Sequence, residues 1–284
     1  MNVTVIGAGT MGHGIAQVSA MAGHKTTLTD ANESMLPSAL ARIEDNLDGA
    51  VKRKKLDEDA RVQTLGKLNT NPSLDNAVED ADLVIEAIIE DLDIKRNLFH
   101  NLDSHTAESC ILATNTSSLS VTEIANSTAN PGRVIGLHFF NPVHIMKLVE
   151  IITHDRTDAA TAEMARHFAE SIGKTPISVK DSPGFASSRL GVVLGLEAMR
   201  MVEQGVASPE DIDKALELGY GHPMGPLRVS DLVGLDVRLA IAEYLHDELK
   251  EAHYAPPEIL RNKVKAGELG KKTGKGFYEW PNKT

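Results

Sequence analysis

The first thirty residues leave a chain like this the fewest choices. Asn2 to Ile6 is a short apolar run that ends on Gly7-Ala8-Gly9-Thr10-Met11-Gly12. Ile15, Val18 and Ala22 then recur at helical spacing as far as Gly23. Lys25-Thr26-Thr27-Leu28-Thr29 is a β-branched run that stops on Asp30. Strand, G-x-G-x-x-G, helix, strand and acidic residue make up the whole dinucleotide-binding context, which is far more specific than the glycines alone. Gly7 permits the tight turn, Gly9 lets backbone approach a pyrophosphate, and Gly12 lets the helix pack closely on the strand. The helix N-terminus then offers N–H donors and positive dipole to the phosphates. Asp30 suits the two ribose hydroxyls and repels a 2′-phosphate, so NAD is expected over NADP.

The pattern continues as strands alternating with helices. A helical stripe runs through Leu36, Leu40, Ile43, Leu47 and Val51. It ends in Lys52-Arg53-Lys54-Lys55, which reads either as cations complementing a helix C-terminus or as a patch for an anionic substrate tail such as the phosphates of coenzyme A. Asp82 to Ala87 and Cys110 to Ala113 are buried strands with a helix through Lys95, Leu98 and Leu102 between them. Thr175 to Val179 is the last strand. Alternation of this kind predicts a parallel, doubly wound α/β sheet of Rossmann type, with ligands beyond the carboxyl ends of its strands. Glu90, Asn115, Ser117 and His138 fall at such ends. The Thr114-Asn115-Thr116-Ser117-Ser118 run is equally ordinary capping chemistry for a following helix.

Beyond Asp181-Ser182-Pro183-Gly184 almost no strand pattern remains. The expected division is a dinucleotide-binding domain over 1–183 and an all-helical domain over 184–284. In the latter Val192, Val193, Leu194 and Leu196 carry more apolar surface than one helix face needs, which fits dimerisation or a helix buried on all sides.

Composition removes several function classes. A formal charge of −11 argues against a broad nucleic-acid face. The single cysteine, Cys110, excludes an internal disulfide and a multi-cysteine metal site, and no metal is expected. No apolar run reaches the ~18 residues of a membrane span. The N-terminus enters a strand without a basic flank, so no signal peptide is read and a cytoplasmic location is expected.

The stretch Val134 to Glu150, VIGLHFFNPVHIMKLVE, concentrates the chemistry. An apolar strand presents His138, the chain turns at Asn141-Pro142, and a second apolar segment carries Glu150. A histidine at a strand end is suited to be a general base when a carboxylate orients it, and is otherwise a core histidine bonded to backbone.

Taken together, GAGTMG, VIEAIIED, ATNTSSLSVTEIA, GLHFFNPVHIMKLVE, DSPGF, HPMGPLRVSDLVGLD and GKKTGKGFYEW resemble the 3-hydroxyacyl-CoA dehydrogenases over essentially the whole chain, above all the bacterial 3-hydroxybutyryl-CoA members. The resemblance implies a Rossmann domain followed by a helical dimerisation domain, a homodimer, and an acyl-CoA substrate. It implies His138 as catalytic base with Glu150 as its partner, Ser117 near the substrate hydroxyl and nicotinamide, and Asn141 at the cofactor. Glu90, Lys95 and Lys272 match cofactor-contacting positions, and Lys52 and Arg53 match the helix that approaches coenzyme A. One departure stands out. Phe185-Ala186-Ser187-Ser188-Arg189 places Ser188 where many members carry the asparagine that holds the substrate carbonyl. Two other readings share part of the pattern: a dehydrogenase of a small free hydroxy acid, gulonate-type, without coenzyme A, and a non-catalytic NAD-binding protein. The His138/Glu150 pair argues against the second.

Overall fold

The structure, a computed structural model, describes residues 1–281. It divides into two compact units, Met1–Ser182 and Pro183–Thr284.

The first unit is a single sheet covered by helices. Its strands are β1 (Asn2–Ile6), β2 (Lys25–Thr29), β3 (Leu68–Thr70), β4 (Leu83–Glu86), β5 (Ile111–Thr114), β6 (Val134–Phe139), β7 (Leu148–Thr153) and β8 (Thr175–Lys180). Their order is β3-β2-β1-β4-β5-β6-β7-β8. The helices are α1 (Gly12–Met21), α2 (Met35–Lys52), α3 (Glu58–Leu65), α4 (Leu74–Val78), α5 (Leu92–His105), α6 (Val121–Ala125) and α7 (Ala159–Ser171). β4 and β5 are buried along their whole length, as the unbroken apolar runs of a parallel sheet with both faces covered require. β1 lies between β2 and β4, so the strand order reverses at β1 and a crevice opens beyond its carboxyl end.

The sheet is parallel, as the alternation of strands and helices implies, except at one place. β6 and β7 pair antiparallel. Residues 140–147 join them, and a parallel pairing needs a crossover of a dozen residues or more. The chain can only fold back on itself there. Two further elements, α3 and β3, escape the sequence pattern. α3 buries only Thr64 and is held by the Asp57 side chain accepting from the Ala60 N–H at its N-terminus. β3 is a short edge strand with two of its three residues exposed. The stripe of α2 is also shifted, with Leu36, Ala39, Ile43 and Leu47 buried and Leu40 only half-buried.

The second unit contains α8 (Ser187–Glu203), α9 (Pro209–Tyr220), α10 (Pro226–Val233), α11 (Leu235–Leu249) and α12 (Glu258–Lys265). Ser208 caps α9 through the Asp211 N–H, with Pro209 in the first turn. Val192, Leu196 and Met199 of α8 pack with Ile212, Leu227, Leu235 and Leu245. Leu190 and Leu194, one turn apart on the same helix, stay uncovered, as do Leu218 and Tyr220, each more than 80 % exposed. No helix among the described residues is long and apolar enough to cross a membrane.

Candidate active site

The turn after β1 shows why its glycines are glycines. Gly7 has φ +101°, and a Cβ on it would lie 2.5 Å from the carbonyl oxygen of Ala87, the residue after the neighbouring strand β4. A Cβ on Gly12 would lie 1.7 Å from the Gly7 carbonyl oxygen, so only glycine lets α1 start this close to β1. Gly9 is different: a Cβ there would meet no protein atom within 4 Å. Its side is open space, as approach by a pyrophosphate requires. No side chain caps the first turn of α1, where the His13 N–H turns back to the Gly9 carbonyl at 3.3 Å, and a helix start without a side-chain cap suits an anion. Gly12→Ala is expected to destabilise the first unit by about 1–3 kcal/mol or more through overpacking and to abolish NADH binding; denaturant melts and a fluorescence titration with NADH check both.

A cavity of about 750 Å³ adjoins this turn, lined by Gly9, Met11, Asp30 and Ile88 among others. The Asp30 carboxylate accepts the Ala8 N–H at 2.6 Å and the Asn32 N–H at 2.8 Å. These bonds fix its direction, and a carboxylate retains further lone pairs for ribose hydroxyls. Open space at Gly9, a helix start with no side-chain cap and an aimed carboxylate fit a dinucleotide. Among the described residues no group of three or more His, Cys, Asp or Glu side chains is placed to hold a metal ion.

His138 and Glu150 are brought together by the antiparallel pair. Register sets them directly opposite each other on β6 and β7. His138 Nδ1 lies 2.7 Å from Glu150 Oε2, with the carboxylate fully buried and the imidazole nearly so. The Phe140 ring lies against the imidazole, centroids 4.5 Å apart. The carboxylate fixes the orientation of the ring through Nδ1.

Between the dinucleotide turn and β6 stands a cluster that sequence reasoning left unassembled. Glu86, the last residue of β4, is fully buried. It accepts from the Ile88 N–H at 2.8 Å, the Thr114 hydroxyl at 2.7 Å and the Lys95 ammonium at 2.5 Å. Lys95, also fully buried, lies 3.4 Å from Glu90. Glu90 Oε1 in turn accepts from the Thr116 hydroxyl at 2.7 Å, the Ser117 N–H at 2.8 Å and the Ser117 hydroxyl at 3.1 Å. One carboxylate therefore ties the loop after β4 to β5 and α5, and a second one fixes Ser117. Asn115 accepts the Phe139 N–H at 2.8 Å and so ties the end of β5 to that of β6. The available signal was a glutamate inside the buried run Leu83-Val84-Ile85-Glu86, since carboxylates are rarely buried unpaired.

The remaining candidates sit on other segments of the chain. Asn141 is exposed on the turn after β6. Lys52 and Arg53 end α2, exposed and in no ion pair among the described residues. Ser188 and Lys272 belong to the second unit, Ser188 in the first turn of α8 and Lys272 with its ammonium 2.6 Å from the Asp236 carboxylate. Cys110 is buried and its thiol is pushed up to about 11 by burial, which makes it inert as a nucleophile.

Comparison with known proteins gives this geometry its family. The model of the 3-hydroxyacyl-CoA dehydrogenase NAD binding domain matches residues 2–182, and that of the 3-hydroxyacyl-CoA dehydrogenase C-terminal domain matches residues 184–280. The chain is 43% identical over 280 residues to a 3-hydroxybutyryl-CoA dehydrogenase of Clostridioides difficile, covering 99% of both. It is 45% identical over 285 residues to the mitochondrial hydroxyacyl-coenzyme A dehydrogenase of Mus musculus, covering 98% of this chain and 91% of the relative. The crystal structure of (S)-3-hydroxybutyryl-CoA dehydrogenase from Ralstonia eutropha superposes with a TM-score of 0.96 at 39% identity, over 99% of each chain. With whole-chain matches of this kind around a dinucleotide turn and a buried His–Glu pair, the chain belongs to the 3-hydroxyacyl-CoA dehydrogenase family, NAD-dependent oxidoreductases that act on a CH–OH group.

Proposed function

We propose that the chain interconverts a short-chain (S)-3-hydroxyacyl-CoA and the 3-oxoacyl-CoA with His138 as the proton carrier. The observation that carries this reading is the 2.7 Å contact of His138 with the buried Glu150 at the carboxyl end of β6. In oxidation, neutral His138 takes the C3 hydroxyl proton on the nitrogen not facing Glu150. The electron pair left on oxygen forms the C=O bond as C3 gives up its hydride. Bound NAD supplies the acceptor for that hydride. Glu150 holds the imidazole in the accepting tautomer and stabilises the imidazolium that forms. In reduction the same nitrogen returns the proton.

Ser117 is assigned to the substrate oxygen. Glu90 Oε1 carries three donors, more than its own two lone pairs accommodate well, and the Ser117 hydroxyl is the longest of the three. Turning that hydroxyl to the substrate leaves Ser117 still held by its N–H. In this reading Glu90, Asn115 and Asn141 serve the cofactor, Lys95 acts through Glu90, Lys272 serves the cofactor from the second unit, and Ser188 belongs to the substrate wall. The exposed Lys52 and Arg53 suit the phosphates of coenzyme A. The uncovered Leu190, Leu194, Leu218 and Tyr220 suit a homodimer formed through the helical unit.

Asp30 is the basis for NAD over NADP. Asp30→Asn is expected to raise the KM for NADH roughly 10–100-fold, the loss of a charge-assisted hydrogen bond, and to narrow the gap between NADH and NADPH. Steady-state kinetics with both cofactors check it. The function itself is tested by NADH oxidation with acetoacetyl-CoA, longer 3-oxoacyl-CoAs and free oxo acids. Turnover falling with chain length is expected. Turnover of the free acids alone makes the chain a gulonate-type enzyme, and no turnover with NADH binding intact makes it a non-catalytic protein.

A further inference from the structure

β4 ends on a carboxylate that the sheet itself does not need. Leu83, Val84 and Ile85 are buried along it, and Glu86 is fully buried with them. Burying a charge is costly unless its lone pairs are engaged, and an apolar side chain in place of a buried ion pair is neutral or better for stability. The same holds in α5. Its buried positions are Lys95, Phe99 and Leu102, one stripe at four- and three-residue spacing, so an ammonium takes the first core position of that helix. Asp93 and Arg96, on either side of it in the chain, are exposed. Two opposite charges meet in the core of the first unit, where such a pair adds little to stability. What it adds is direction.

Parallel register places Glu86 opposite Thr114 of β5. Glu86 Oε2 accepts the Thr114 hydroxyl at 2.7 Å, and Oε1 accepts the Ile88 N–H and the Lys95 ammonium. That ammonium is shared between two acids, with Nζ 2.5 Å from Glu86 Oε1 and 3.4 Å from Glu90 Oε2. The other oxygen of Glu90 is the one that accepts from Thr116 and Ser117. A chain of charged contacts therefore starts sealed in the core at Glu86 and ends at the exposed Glu90, where Ser117 is held. Its balance depends on the ammonium staying with Glu86. With that carboxylate neutralised, Glu90 is the one acid left within 4 Å of Lys95 among the described residues. Closing the 3.4 Å gap draws Glu90 inward and takes its acceptor away from the Ser117 N–H and hydroxyl.

We propose that Glu86 is a positioning residue of the reaction: by retaining Lys95 it keeps Glu90 on Ser117, and so sets the hydroxyl that meets the substrate oxygen. This rests on the assignment of Ser117 to that oxygen. Lys95, fully buried, acts from behind Glu90 and touches neither substrate nor cofactor.

The test uses the full-length enzyme and acetoacetyl-CoA with NADH. Glu86→Gln keeps the size of the side chain and removes its charge. Its kcat is expected to fall about 10–100-fold, the size of one charge-assisted contact. Adding Lys95→Met to Glu86→Gln removes the unpaired ammonium, leaves Glu90 with Ser117, and is expected to regain most of that loss. A role in packing alone predicts no such rescue. Exchange of a whole buried ion pair for neutral groups is tolerated where loss of one partner is not. If Glu86→Gln does not fold, the double variant is therefore compared directly with the wild type, and a similar kcat is expected. ADP-ribose, which lacks the nicotinamide, is expected to bind every variant as it binds the wild type by calorimetry. A double variant as slow as Glu86→Gln, or far slower than the wild type where Glu86→Gln does not fold, overturns the proposal. So does an ADP-ribose affinity that falls in step with kcat, since Glu86 then only holds up the sheet. Ser117→Ala at the wild-type rate removes the underlying reading of Ser117 and the proposal with it. A slow Ser117→Ala beside a Glu86→Gln at the wild-type rate overturns this proposal alone.

Discussion

His138→Ala is expected to bind NADH as the wild type does and to lose roughly 10²–10⁴-fold in turnover of acetoacetyl-CoA, the usual contribution of a positioned general acid or base. Binding survives because the dinucleotide turn, Gly7 to Gly12 with Asp30, makes no use of the imidazole: its bonds run from Asp30 to the Ala8 and Asn32 N–H groups. Turnover falls because no other group on β6 takes the proton. Removing the ring also leaves Glu150 buried opposite a void, so some loss of stability accompanies the kinetic loss. A fluorescence titration with NADH and a kcat measurement separate the two effects. A variant that reduces acetoacetyl-CoA at the wild-type rate removes His138 from the mechanism.

Glu150→Gln is the second large effect. The amide matches the carboxylate in size and leaves the β6–β7 register undisturbed, so a small change in melting temperature is expected. The chemistry changes more. The carboxylate, fully buried 2.7 Å from Nδ1, both selects the tautomer and meets the charge that the ring acquires. An amide offers a dipole in place of a charge and can present its own N–H to Nδ1, which turns the ring's basic nitrogen the wrong way. A kcat loss of about 10²–10⁴-fold is expected, comparable with loss of the carboxylate in His–Asp pairs of hydrolases, with the KM for acetoacetyl-CoA little changed. A kcat loss confined to the unfolded fraction of the sample contradicts an orienting role and leaves Glu150 a packing residue.

The parts of the site that were legible in the sequence are those built by local sterics. The glycines of Gly7–Gly12 act on neighbours a few residues away or at a fixed strand offset, so spacing alone exposes them. The His138–Glu150 contact is a different case. Its two residues are twelve apart on strands that meet only because residues 140–147 reverse the chain, and periodicity gives no register across a reversal of that kind. The order strand, histidine, turn, carboxylate made the two a candidate pair and the resemblance supported it, but their direct opposition on adjacent strands was not legible. Buried charge was the least legible. Lys95 and Arg238 both lie in amphipathic helices where a cation normally faces water. Only the finished packing shows one paired with Glu86 and the other left beside Gly191. α3 and β3 were missed for the opposite reason, since they bury almost nothing and leave no apolar period to read.

The central claim is a hydride exchanged between the nicotinamide and C3 of a coenzyme A thioester while His138 handles the proton. It is tested most directly by reducing acetoacetyl-CoA with NADH deuterated at the transferring C4 position and locating the label in the product. The account requires deuterium on C3 of 3-hydroxybutyryl-CoA, with NADH consumed in equal amount by the wild type and almost none by His138→Ala. NADH consumed without deuterium at C3, or labelled product formed equally well by His138→Ala, contradicts it.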